Sequence, residues 1–196
     1  MHKLAGGSDK KETPRNLLER HLEILSKPLE MKKVPQNINL LENRLIMLKE
    51  FINSLAPLAR SLYAKGMTDQ SERIIEMSNK AAHFSFGLFQ TLRSQFNNLE
   101  RKDFREYVKL SIKTRTNEMY GKENAFPNDI LRLPEDRFNE SAEAIISERR
   151  KWVEDRINAF SAYLQVLDER KKEETRKLNR LINKEMKRRF SIFKFD

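Results

Sequence analysis

The chain has 196 residues, of which 35% are charged and 38% are hydrophobic. Its five glycines and six prolines are too few for the many turns of an all-β fold, and the absence of cysteine excludes disulfides, thiolate nucleophiles and cysteine-based zinc sites. The length is typical of one domain with a tail or an extension.

The excess of positive charge lies at the carboxyl end. The formal net charge is +10. Residues 1–169 carry 28 basic and 25 acidic side chains, a net of +3, whereas residues 170–196 carry 11 basic and 4 acidic side chains, a net of +7. We call residues 170–196 the basic segment. Because a general property of the fold would be spread along the chain, this concentration indicates a local function for the carboxyl end.

The sequence contains no apolar run of about 18 residues, which a transmembrane helix would need. The first residues are not followed by an apolar stretch, so they do not resemble a secretory signal. Residues 1–12 are polar and are expected to form a disordered tail. From these features we expect an intracellular, cytoplasmic protein, with any membrane contact peripheral.

Helical periodicity runs through the amino-terminal half. Thr13-Pro14 is typical of a helix start, and this first helix is expected to stop near Lys27-Pro28. Residues 28–35 then read as a connector, and a pattern like a capping box at residues 39–42 predicts the start of the second helix. Gly66 is suited to its end, and a third helix from Thr68 or Asp69 is predicted to be the most buried one.

The carboxyl-terminal half predicts two further helices. Residues 103–119 favour a fourth helix, although Val108–Thr116 also alternates like a strand. A long helix begins after Pro134. Its expected buried face comprises Phe138, Ala142, Ile145, Trp152, Ile157, Phe160, Leu164 and Leu167. Residues 168–177 contain no large apolar side chain that could anchor them to a core.

The predicted fold is therefore all-α: an irregular four- to five-helix bundle with a long C-terminal helix. We expect three parts, namely a disordered tail over 1–12, the bundle over 13–167, and a basic amphipathic extension over 168–196.

The basic segment carries the strongest functional signal. Its apolar residues Leu178, Leu181, Ile182, Met186, Phe190 and Phe193 fall on one helical face, with cations around the rest. This pattern suits an anionic membrane surface, an acidic protein groove or a nucleic-acid backbone. The predicted contact residues are Lys177, Arg180, Leu181, Ile182, Lys184, Met186, Lys187, Arg188, Arg189, Phe190 and Phe193.

The favoured hypothesis is a non-enzymatic interaction or scaffold protein that docks through this helix on an anionic membrane or an acidic protein partner. The first alternative is a nucleic-acid-binding helical protein, such as a packaging or ribonucleoprotein component. A second basic surface would serve it, formed by Arg101, Lys102, Arg105, Lys109, Lys113 and Arg115. The apolar stripe could also pack on the bundle, or pair with another copy in self-association.

A further alternative is a secreted bacterial effector that acts on a host protein. The acidic residues Asp168, Glu169, Glu173 and Glu174 precede the basic and hydrophobic carboxyl end. This arrangement resembles the translocation signals of bacterial type IV secretion effectors. The resemblance is one of composition, covers about 30 residues and implies nothing about activity.

No recognised catalytic or cofactor motif is present. The sequence lacks a phosphate-binding loop, a dinucleotide fingerprint and a nucleophile elbow. A di-iron bundle needs a glutamate three residues before an inward histidine, but Leu18 precedes His21 and Lys80 precedes His83 at that spacing. We therefore expect no enzyme activity, no cofactor and no metal.

Overall fold

The computed structural model describes residues 14–192, with side chains over 16–184. Its helices are α1 (Pro14–Ser26), α2 (Val34–Ala64), α3 (Thr68–Asn97), α4 (Phe104–Lys113) and α5 (Glu135–Ile192). No strand occurs within 14–192, so the predicted all-α fold with a long C-terminal helix is confirmed and the strand alternative at 108–116 is wrong. The chain forms two compact units, which divide between Val153 and Glu154.

A long helical hairpin of α2 and α3 forms the frame of the first unit. Gly66 makes the turn with a φ of +74°, a left-handed conformation that glycine adopts without steric cost. Near the turn, the buried Ser71 hydroxyl of α3 donates a hydrogen bond to the Ala59 carbonyl of α2 at 2.9 Å, which links the two helices. Inside the hairpin, Leu41, Leu48 and Leu92 are almost completely buried.

The prediction that α2 begins at Asn39 is wrong, because the helix begins at Val34. Pro35 lies in its first turn, where the fixed φ of proline suits a helix and its missing N–H has no intrahelical partner to lose. The Asn37 side chain closes this start, accepting from the Lys32 N–H at 2.5 Å and donating to the Lys32 carbonyl at 3.2 Å. Asn39 and Glu42 are therefore interior positions, and both are buried.

Helices α2 and α3 both have several packing partners in the first unit. Helix α2 contacts α1, α3, α4 and the 3₁₀ turn Thr116–Tyr120. Helix α3 contacts α1 and α2, and reaches α5 through the Phe89–Trp152 ring contact and the hydrogen bond from Arg150 to the Phe96 carbonyl.

Helix α4 ends at Lys113, before the predicted Met119. Arg115 adopts a left-handed φ of +60°, which breaks the helix and turns Thr116 inward. There the Thr116 hydroxyl donates to Ser111 Oγ at 3.2 Å and accepts from the Asn39 amide at 3.3 Å. These contacts are a physical reason for the early helix end.

The inner face of α5 differs from the predicted stripe. Within the first unit, the buried positions are Phe138, Ala142, Ile146, Arg149 and Val153. Ile145 and Trp152, which were predicted to be core residues, are only half-buried. The face is thus shifted by one residue and has an arginine at its centre.

The second unit contains the rest of α5, which continues as a helix to Ile192. Of the residues predicted for the buried face in this part of α5, Ile157 and Leu164 are buried, whereas Phe160 and Leu167 are only half-buried. From 168 to 184, every side chain is exposed.

Candidate functional site

The described part of the basic segment, residues 170–184, is an exposed helix. Leu178, Leu181 and Ile182 expose 57%, 63% and 50% of their surface. On an α-helix the spacings of three and four residues place these side chains on one face. Exposed large apolar groups are ordinary when scattered, but three neighbours on one helical face form a patch that favours contact with a partner.

Five of the predicted contact residues have described side chains: Lys177, Arg180, Leu181, Ile182 and Lys184. The structure places all five on exposed helix. Met186, Lys187, Arg188, Arg189 and Phe190 lie on helical backbone, but their side chains are outside the described part of the chain. Phe193 lies outside the described residues altogether.

Charge along this helix changes from mixed to basic at residues 175–184, and Glu185 follows directly after them. Residues 168–174 include four carboxylates, whereas residues 175–184 include four cations and no carboxylate. At the boundary, Lys177 Nζ lies 2.8 Å from Glu173 Oε1. This hydrogen bond raises the pKa of Lys177 and lowers the pKa of Glu173. The charge of Lys177 is therefore partly offset by Glu173. Arg180 and Lys184 lie further from the acidic residues 168–174.

The second basic surface is less available than the sequence indicated. Three of its six cations have carboxylate partners 2.5–3.1 Å away. The pairs are Arg101–Glu143, Lys102–Glu100 and Arg105–Glu135. The Arg105 guanidinium also lies 4.2 Å above the Phe138 ring. Carboxylates therefore lie beside half of the cations that a phosphate backbone would contact, which lowers the net positive charge of this surface.

A fully buried arginine, which the sequence analysis did not predict, lies at position 149. The Arg149 guanidinium carbon lies 3.9 Å from the centre of the Phe126 ring and 4.2 Å from that of Tyr120. Rings on the guanidinium supply favourable cation–π contacts. They cannot by themselves offset removal of the charge from water, so hydrogen bonds must also compensate.

Arg149 donates in three directions. Nη1 donates to the Tyr107 hydroxyl at 2.6 Å and to Ser111 Oγ at 3.0 Å. Nε donates to the Asn124 carbonyl at 3.0 Å, and Nη2 donates to Asn117 Oδ1. The planar fork of an arginine can serve these separated acceptors at once, which a lysine cannot do.

Glu42 supplies the compensating negative charge. Its Oε1 accepts hydrogen bonds from the Tyr107 hydroxyl at 2.6 Å and the Tyr120 hydroxyl at 2.7 Å. Tyr107 therefore accepts from Arg149 and donates to Glu42, so that one phenol links the buried cation to the buried anion. We call Arg149, Glu42, Tyr107, Tyr120, Ser111 and Asn117 the buried arginine cluster.

The buried arginine cluster joins α2, α4, the 3₁₀ turn Thr116–Tyr120 and α5. Because its members bond to one another in the interior, the cluster acts as a positioning network for the first unit. The sequence analysis assigned no role to Arg149. The only available signal was its register, since it falls between Ile146 and Val153 at the spacing of the buried residues.

The two phenols of the cluster predict a loss of stability in alkali. Burial raises the pKa of Tyr107 and Tyr120 well above the usual value near 10, and the Glu42 carboxylate adds to the rise. Above about pH 10 the unfolded chain releases these protons while the folded chain retains them. Stability should therefore fall by about 3 kcal/mol between pH 9 and pH 11, at roughly 1.4 kcal/mol per pH unit for each tyrosine above pH 10.

Urea unfolding across this pH range measures the effect. Tyr107→Phe should reduce the slope, whereas Tyr63→Phe, at an exposed tyrosine, should leave it unchanged. A free energy of unfolding that stays constant up to about pH 11 would contradict the assignment.

No protein-family model matches the chain, and neither a curated protein nor a solved structure matches it. Among the helices of the described region, none is long and apolar enough to cross a membrane. Among the described side chains, no group of three or more His, Asp or Glu residues is arranged to hold a metal ion.

Proposed function

We propose that this protein is a non-enzymatic helical interaction protein whose basic segment docks on an anionic membrane surface. The observation that carries the proposal is the joint exposure of Leu178, Leu181 and Ile182 on a stretch of helix, residues 175–184, whose charged side chains are all positive. An interfacial helix needs both features, because its apolar face enters the lipid boundary while its cations meet the headgroups.

The two contributions are of similar size. Each lysine or arginine near an anionic leaflet contributes roughly 1 kcal/mol before screening by salt. Partial burial of each exposed large apolar side chain adds roughly 1–2 kcal/mol. Lys177 lies four residues before Leu181 and Lys184 three residues after it, so both cations neighbour the apolar patch on the helix surface. Charge attraction and apolar burial therefore act close together.

The nucleic-acid alternative accounts for less of the helix. A phosphate backbone would use the cations of the basic segment but would leave the exposed leucines and Ile182 without a contact. The paired cations on and before α4 also weaken the case for a second phosphate-binding surface. We therefore favour a lipid surface over a nucleic acid.

A single fluorophore tests the docking geometry. Since the chain has no cysteine, Leu181→Cys can be labelled selectively with an environment-sensitive thiol dye. Vesicles that contain phosphatidylserine should shift its emission to the blue, and pure phosphatidylcholine vesicles should not. Asn183→Cys is the matched control, because it lies about 200° further round the helix and should respond much less.

Equal emission from both labelled positions in all mixtures would overturn the proposal. A response to duplex DNA in place of vesicles, lost steeply as salt is raised, would support the nucleic-acid alternative instead.

A further inference from the structure

The carboxyl end of helix α1 is anchored by hydrogen bonds and burial. Arg44 Nη1 donates to the Leu25 carbonyl at 2.5 Å and the Ile24 carbonyl at 3.0 Å, and thereby caps the carboxyl end of α1. Leu25 beside this cap is fully buried. Toward the other end, Leu18 is half-buried and Leu17 is exposed.

An apolar groove lies between α1 and α2, with a volume of about 600 Å³. Among its lining residues, the exposed His21 ring stacks on the buried Phe51 ring with 5.3 Å between centres and 5° between planes. The walls expose apolar surface: Leu17 is 51% exposed, Met47 is 45% exposed and Leu58 is 37% exposed.

The groove has the form of a site for a short amphipathic helix. Met47 and Leu58 are eleven residues apart on α2, so the α2 wall is roughly 16 Å long, which is about three helical turns. Helix-in-groove recognition uses apolar anchors at spacings of three and four residues. Glu50 on the wall adds a carboxylate and favours an occupant with positive charge.

This chain carries a helix of that description. Leu178, Leu181 and Ile182 are exposed at the required spacing, and residues 175–184 contain cations but no carboxylate. The apolar patch is therefore complementary in character to the apolar groove. Lys184, three residues after Leu181 and so next to it on the helix surface, is the cation suited to face Glu50.

We infer that the α1–α2 groove binds the basic segment of a second copy of this chain. The contact is heterologous, since the groove of one copy receives the helix of another and leaves its own helix available. It therefore builds head-to-tail assemblies. This inference goes beyond membrane docking and is measured without lipid, although both use the same apolar patch.

Complementation between two full-length variants tests the contact. The groove variant carries Met47→Gln and Leu58→Gln, and the helix variant carries Leu181→Gln and Ile182→Gln. Light scattering after size-exclusion chromatography should show that the average molar mass of the parent protein in solution rises with protein concentration. Each variant alone should remain a monomer, but an equimolar mixture should form a 1:1 dimer, because one variant keeps the helix and the other keeps the groove.

A parent chain that is monomeric at every concentration would overturn the inference. So would variants that both associate like the parent, or a mixture that stays monomeric. The groove variant should still bind phosphatidylserine vesicles, which separates failure of this inference from failure of membrane docking. Circular dichroism and thermal melting check that both variants are folded.

Discussion

Arg149→Met should destabilise the protein by about 3–5 kcal/mol, because it leaves the buried Glu42 carboxylate without its compensating cation. In a chain of this size the expected fall in Tm is roughly 6–20 °C. Two further losses accompany this effect. Four acceptors around the guanidinium each lose one hydrogen bond, and the Phe126 and Tyr120 rings lose their cation–π contacts.

Lys151→Met is the matched control for this substitution. It removes a positive charge from the same helix only two residues away, but Lys151 is exposed and pairs with Glu148 at 2.7 Å. Exposed pairs of this kind contribute roughly 0–1 kcal/mol. Arg149→Lys should recover only part of the loss, since an ammonium cannot reach the separated acceptors at once.

A second substitution separates the charge effect from the packing effect. In the double variant Arg149→Met with Glu42→Gln, no uncompensated charge remains inside the first unit. The double variant should therefore lose less stability than the sum of the two single variants. Urea unfolding gives all four free energies. If the free energy of unfolding of Arg149→Met lay within about 1 kcal/mol of that of the parent, the buried arginine cluster would not be a main source of stability.

The helical fold could be predicted because its signals are local. Apolar residues at spacings of three and four define α2 and α3, and Gly66 marks their turn. The start of α2 could not be predicted in the same way. Asn39 and Glu42 resemble a capping box, but here their side chains bond to distant parts of the chain, and only the tertiary structure shows these partners.

The candidate docking helix could also be predicted, because the spacing of its apolar residues and the clustering of its cations are visible in a short stretch of sequence. The buried arginine cluster could not. A rule that places charged residues on solvated faces is correct for most of α5 and fails at Arg149, since its partners come from three other parts of the chain. The same error shifted the predicted face to Ile145 and Trp152.

Replacement of the two most carboxyl-terminal described apolar groups should weaken membrane binding strongly. Leu181→Gln with Ile182→Gln preserves the net charge and the helix propensity but removes apolar surface that the lipid boundary would bury. At roughly 1–2 kcal/mol for each side chain, the expected loss is about 2–4 kcal/mol, or roughly 30- to 1,000-fold in affinity. If binding depended on charge alone, the affinity of this variant for vesicles would equal that of the parent chain.

Asn179→Gln with Asn183→Gln is the matched control. These asparagines flank the same apolar pair and are exposed on the same helix, so the substitutions change neither charge nor apolar contact. The control should bind vesicles like the parent chain. It also reports any general effect of glutamines on the helix, which circular dichroism measures independently.

Co-sedimentation titrations of these full-length proteins with phosphatidylserine-containing vesicles test the membrane proposal most directly. We predict that the parent and the Asn179/Asn183 variant pellet at the same lipid concentration, while the Leu181/Ile182 variant requires at least about 30-fold more lipid. Equal pelleting of all three proteins, or pelleting of none, would contradict docking through this helix.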